Sequence, residues 1–171
     1  MELQLKGYSP RTQKQLDHPD FFDLYKIEGQ TQSSLNIKDL VLIFLSSPPA
    51  WVIWLMSLRN QIMAPFGYKT GAEKSHPTFT AESLVPGQEM GIFRVLGLDS
   101  QEVWLGQNDK HLDFILSIQL QDQGDHAVIT VSTSVWFHNP LGKLYFGVIR
   151  RFHALVVQSM LKSLDHKVFK G

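Results

Sequence analysis

The stretch from Asn139 to Leu164 constrains the fold more than any other part of the chain. Asn139 is a suitable N-cap, since its side-chain oxygen can accept a first-turn amide hydrogen. Pro140 follows at the opening helical position, where a missing N–H costs nothing. Leu141, Leu144, Tyr145, Val148, Phe152, Leu155, Val156 and Met160 recur at helical spacing. Roughly 25 residues at 1.5 Å each span about 38 Å, the width of a small domain. An amphipathic helix of that length, closing a chain of short strands, must lay its apolar stripe on a sheet.

The segments before it supply that sheet. Lys110–Gln121 and Ala127–His138 alternate apolar and polar residues across the turn Asp122-Gln123-Gly124-Asp125. Setting Gln121 opposite His126 pairs Leu116 with Val131, Phe114 with Thr133, Leu112 with Val135 and Ile118 with Ile129. These residues form one apolar face. Gln119, Ser117, Asp113 and His111, with Val128, Thr130, Ser134 and Trp136, form a mostly polar face, expected to meet water. A one-residue slip would exchange the faces, so the parity is strongly specified.

Upstream, Phe21–Ile27 reads as a strand within Asp20–Glu28. Asn36 caps a short helix over 37–45, and Ser47 a second beginning at Pro48. Trp51, Trp54, Leu55, Leu58 and Ile62 share one face of the second helix, and Gly67 is its expected stop. Residues 68–89 read as a long loop with one short edge strand near Thr78–Ala81. Met90–Leu98 and Glu102–Gln107 then precede the final pair of strands. Residues 1–19 form an irregular lead-in, 20–165 a single domain and 166–171 a tail.

Strand, two short helices, antiparallel meander and long last helix is the order of the α+β helix-grip fold. In it a curved antiparallel sheet wraps the C-terminal helix, often around an elongated apolar cavity. A chain of 171 residues can bury enough surface for such a core. Lys+Arg and Asp+Glu number 16 each, so no basic excess argues for nucleic acid. The absence of cysteine excludes disulfides and thiolate chemistry. Leu40–Leu45 and Ala50–Met56 are apolar but broken by Ser46-Ser47-Pro48-Pro49, too short to span a bilayer. The N-terminus has no apolar signal-peptide core, so a cytoplasmic location is expected.

Three stretches carry a family resemblance. They are Pro49-Ala50-Trp51-Val52 through Leu58-Arg59-Asn60, then Asp109-Lys110-His111-Leu112-Asp113-Phe114, then Thr133 through Asn139 with Gly142, Tyr145, Phe152 and His153. In order and spacing the chain resembles the START-like, birch-pollen-allergen-like (SRPBCC) helix-grip superfamily. It most resembles an uncharacterised bacterial family of that class, a domain of unknown function. The resemblance covers about Asp20 to Leu164. It implies a pocket for a hydrophobic or amphipathic small molecule, and brings neither catalytic residues nor a cofactor.

Candidate ligand-binding residues follow. Trp54, Phe93, Trp104, Phe114, Phe137, Tyr145 and Phe152 are candidate cavity walls, or else a dry core. Arg59, the one cation of its helix, could anchor a ligand carboxylate or pair with an acid such as Asp109. His153 reads as a structural histidine or a pocket residue. His111 and Asp113 point to one face, read as a surface pair, and His138 belongs to the helix start. The histidine spacing matches no zinc motif, so no metal is expected. Three functions fit: a binding module, a cyclase- or aromatase-like enzyme, and an interaction domain. The second needs two titratable side chains in the cavity. The third, dimeric or accessory to an oxidoreductase, is motivated by an outward Trp136. The binding module is the preferred reading.

Overall fold

The computed structural model describes residues 16–31, 35–46, 48–63 and 80–169, with backbone alone at 55, 56, 58–60, 62 and 63. β1 (Phe21–Gln30) is followed by α1 (Ile37–Ser46) and α2 (Ala50–Met63). β2 (Glu89–Met90), β3 (Phe93–Leu98), β4 (Glu102–Asn108), β5 (Leu112–Asp122) and β6 (His126–Phe137) form the meander, and α3 (Pro140–Val168) closes the chain. The strands make one curved, open antiparallel sheet in the order β1-β6-β5-β4-β3-β2. This is the expected α+β helix-grip architecture. The Ser47 cap, the Gly67 stop, the lead-in before residue 16 and the loop up to 79 lie outside the described residues. Near the expected edge strand, the described part is a single 3-10 turn, Ala81–Ser83.

Two turns differ from their sequence reading. Residues 90–98 do not form one strand: Gly91, at φ 61°, turns the chain so that Met90 pairs with Phe93. The β5–β6 turn is tighter than a four-residue loop. Gln123 N–H donates to the His126 carbonyl at 2.8 Å, leaving Gly124 and Asp125 at the tip, and Gly124 takes φ 92°. A positive φ there needs no Cβ to be accommodated. Leu116 consequently pairs with Thr133 and Phe114 with Val135, two residues from the expected register. A shift of two preserves every face, so the inward set is unchanged.

On the inner face Leu116, Ile118, Ile129 and Val131 are buried against Leu40, Val41 and Phe44 of α1 and Val157, Leu161 and Leu164 of α3. The start of α3 is seated on the β4–β5 loop. Asn139 Oδ1 accepts from Gly142 N–H at 3.0 Å, and Asn139 Nδ2 donates to the Lys110 carbonyl at 3.2 Å and to His111 Nδ1 at 3.1 Å. A Cβ on Gly142 would collide with the His111 carbonyl oxygen, so only glycine allows this approach.

The helix is rotated from its sequence reading. Leu141, Leu144, Val148 and Leu155, expected inward, are 41–69% exposed. The buried residues are Gly142, Phe146, Val157, Leu161 and Leu164, and the helix runs past Leu164 to Val168. The outer sheet face is also not the wet surface expected. Trp136 is only 1% exposed and Asp113 fully buried, with Leu96 and Ile115 beside Trp136 and Leu16 and Trp104 packed on them. A β-bulge between Val95 and Gly97 brings in Leu96.

Candidate functional site

Between the inner sheet face and α3 lies a cavity of about 350 Å³. Phe114, Leu116, Thr133 and Val135 form its floor, Phe44, Leu45 and Val52 one side, and Phe93 an edge. Tyr145, Phe146, Ile149, Phe152, His153, Val156 and Met160 of α3 form its roof. Phe93 and Phe114 meet edge-on, with ring centres 6.0 Å apart. The cavity is partly open to solvent.

Thr133 and His153 form a polar junction in this apolar lining. Asp23 of β1 and Thr133 of β6 are register partners, so their side chains reach the same face. His153 descends from α3 between them. Its Nε2 is 3.1 Å from Thr133 Oγ1 and 3.3 Å from Asp23 Oδ2. A carboxylate only accepts, so Nε2 is the donor toward Asp23. The Thr133 hydroxyl lies in the cavity wall. The local charge is felt nearby: the Tyr25 phenol is raised above its ordinary pKa, first by burial and then by the Asp23 carboxylate. Gln107 and Asp109 are further polar residues of the lining.

Of the residues expected at the site, Phe93, Phe114, Tyr145, Phe152 and His153 come together around the cavity. Trp54 does not: it is 65% exposed, and the inward residue of its turn is Val52, at 3%. An aromatic pattern on a helix marks apolar content but not the phase of the helix. Trp104 lies on the opposite sheet face, in the Trp136 cluster. Phe137 packs at 5.5 Å against Phe146, beyond the cavity lining. The Arg59 side chain is outside the described residues, so neither of its two expected roles can be placed.

The expected surface pair of His111 and Asp113 is not at the surface, since Asp113 is fully buried. Asp113 Oδ2 instead meets His138 Nε2 at 3.1 Å, and His111 holds Asn139. Asp23 and Thr133 were missed by sequence reasoning. The signal for Asp23 was a carboxylate at the inward parity of Phe21, Tyr25 and Ile27. Among the described residues no group of three or more His, Asp or Glu side chains could hold a metal ion.

His153 of α3 meets two residues of the sheet, Asp23 and Thr133. Here both partners share Nε2. The junction therefore clasps helix to sheet and leaves one hydroxyl at the cavity, an arrangement suited to orienting a bound molecule.

The chain belongs to the DUF2867 family, described as a protein of unknown function, whose model matches residues 15–160. That span runs from before β1 to the last third of α3 and includes Asp23, Thr133 and His153. No curated protein matches the chain.

Proposed function

We propose that this DUF2867 domain is a START-like binding module that holds a hydrophobic or amphipathic small molecule between its sheet and α3. The observation that carries the reading is the cavity of about 350 Å³, apolar in nearly all its walls, with one hydroxyl–imidazole junction at Thr133 and His153. Ligand sites combine apolar walls with a few placed polar groups in this way, and the volume lies near the small end of their range. The ligand would be a compact apolar molecule with one hydrogen-bonding end.

The test is native mass spectrometry after incubation with a lipid extract, run on the natural chain and on Val156→Trp, which fills the cavity from its roof. The natural chain should retain an apolar adduct, and Val156→Trp should lose it while keeping its circular dichroism. Thr133→Val should weaken retention of hydroxyl-bearing ligands more than that of hydrocarbons. Empty natural protein, or equal loading of Val156→Trp, would count against the reading.

A further inference from the structure

The rotation of α3 leaves an apolar stripe in solvent. Leu141, Leu144, Val148, Phe152 and Leu155 recur every three or four residues along one side, each 41–69% exposed. Single exposed apolar residues are ordinary, but five in register on one helix are not. Two further groups accompany it, one on the same helix and one on α2. Lys143, Arg150, Arg151 and Lys162 are all exposed on the same helix, and no Asp or Glu occurs from 140 to 164. In a chain whose charges balance overall, this is a local excess of one sign. On α2, Trp51, Ile53 and Trp54 are 42–65% exposed. Both helices border one cavity, since Val52 of α2 and Phe152 of α3 are among its walls.

We infer that α3, with the first turn of α2, docks on an anionic lipid surface. An interfacial helix combines apolar residues on one side with Lys and Arg around them, and tryptophan favours the boundary between headgroups and acyl chains. The basic excess selects anionic headgroups. A second copy of this chain fits the stripe less well. Two-fold pairing puts the same patch against itself, and here that sets basic residues against basic residues with no acid on the stripe-bearing stretch to offset them. Continuity with the cavity points the same way. Phe152 belongs both to the stripe and to the wall, so a bilayer seated on the stripe adjoins the opening. That last point rests on the binding-module reading, whereas the stripe, its charges and the tryptophans do not. No helix among the described residues is long and apolar enough to cross a membrane, so the contact is peripheral.

The experiment is co-sedimentation with vesicles of phosphatidylcholine alone, and of phosphatidylcholine and phosphatidylserine in equal parts. The natural chain should bind the anionic vesicles, release in high salt, and show a blue shift of tryptophan emission. Arg150→Glu with Arg151→Glu, both exposed and remote from the core, should lower binding by roughly thirty-fold or more. Trp54→Ala should weaken it without changing the salt dependence. Val156→Trp should still bind vesicles, so an empty cavity and a failure to dock are separately visible. Absence of binding to anionic vesicles overturns the inference. So does equal binding to both vesicle types that is indifferent to the charge reversal. A concentration-dependent dimer that forms in place of vesicle binding would assign the stripe to a second copy and overturn it as well.

Discussion

The two faces of β5 and β6 hold similar materials, large apolar side chains and a carboxylate–histidine pair, and put them to different uses. On the outer face Asp113 of β5 meets His138, the residue just past β6, and Leu96 and Trp136 are packed shut at 0% and 1% exposure. On the inner face His153 reaches from another layer to Asp23 and Thr133, and the side chains around it line open volume. A pair made within one layer adds rigidity to a surface that is already closed. A pair that bridges sheet and helix holds two layers apart and sets a polar group at the space between them.

The comparison is broken or sharpened by matched substitutions. Trp136→Ala should have the largest effect, about 4 kcal/mol by denaturant unfolding, because a filled site is emptied. Asp113→Ala should follow at about 3 kcal/mol, since its loss opens a buried vacancy and takes the partner of His138 Nε2 away. Phe114→Ala should cost only about 2 kcal/mol, below the usual range for this truncation, because part of the ring already faces the cavity and has fewer contacts to lose. If Phe114→Ala proved as costly as Trp136→Ala, the inner face would be as tightly filled as the outer and the contrast would collapse. Asp23→Ala should cost about 1 kcal/mol, with its main consequence in ligand retention rather than melting temperature.

The smallest expected effect concerns pH. Glu102, on the outer face, is raised above its ordinary pKa first by burial and then by the Asp99 charge, against a lowering hydrogen bond from the Ser117 hydroxyl. A carboxyl whose folded pKa is raised binds its proton more readily in the folded state. Stability therefore falls as pH rises from the ordinary glutamate value of 4.5 to the raised one, and the cost persists at neutral pH. Glu102→Gln keeps an acceptor for Ser117 and should flatten that segment of the stability–pH curve. The gain at neutral pH should be a few tenths of a kcal/mol, because the group is only half-buried and solvent screens it. A curve unchanged by the substitution would remove Glu102 from the account.

Much of this arrangement was legible in the residues. Asn139-Pro140 marks the helix start because capping and a missing N–H are local matters, and the structure has both features there. Period-two alternation assigned Leu116, Ile118, Ile129 and Val131 to the inside even though the register was two residues out, since faces depend on parity alone. The long helix is another matter. It carries apolar residues around much of its circumference from Leu141 to Val157, and spacing alone picked a stripe of which Leu141, Leu144, Val148 and Leu155 turn out to face solvent. The observed phase came from contacts made far apart in sequence. His153 finds Asp23 and Thr133, and Gly142 fits against His111, and both together fix the rotation. The burial of Trp136 and Asp113 is likewise a tertiary outcome, because it depends on a bulge in β3 and on Leu16. Sequence alone thus determined the elements and their inward and outward parity, which are short-range properties. The packing of one layer on another decided where the cavity lies and which apolar side of the last helix meets the solvent.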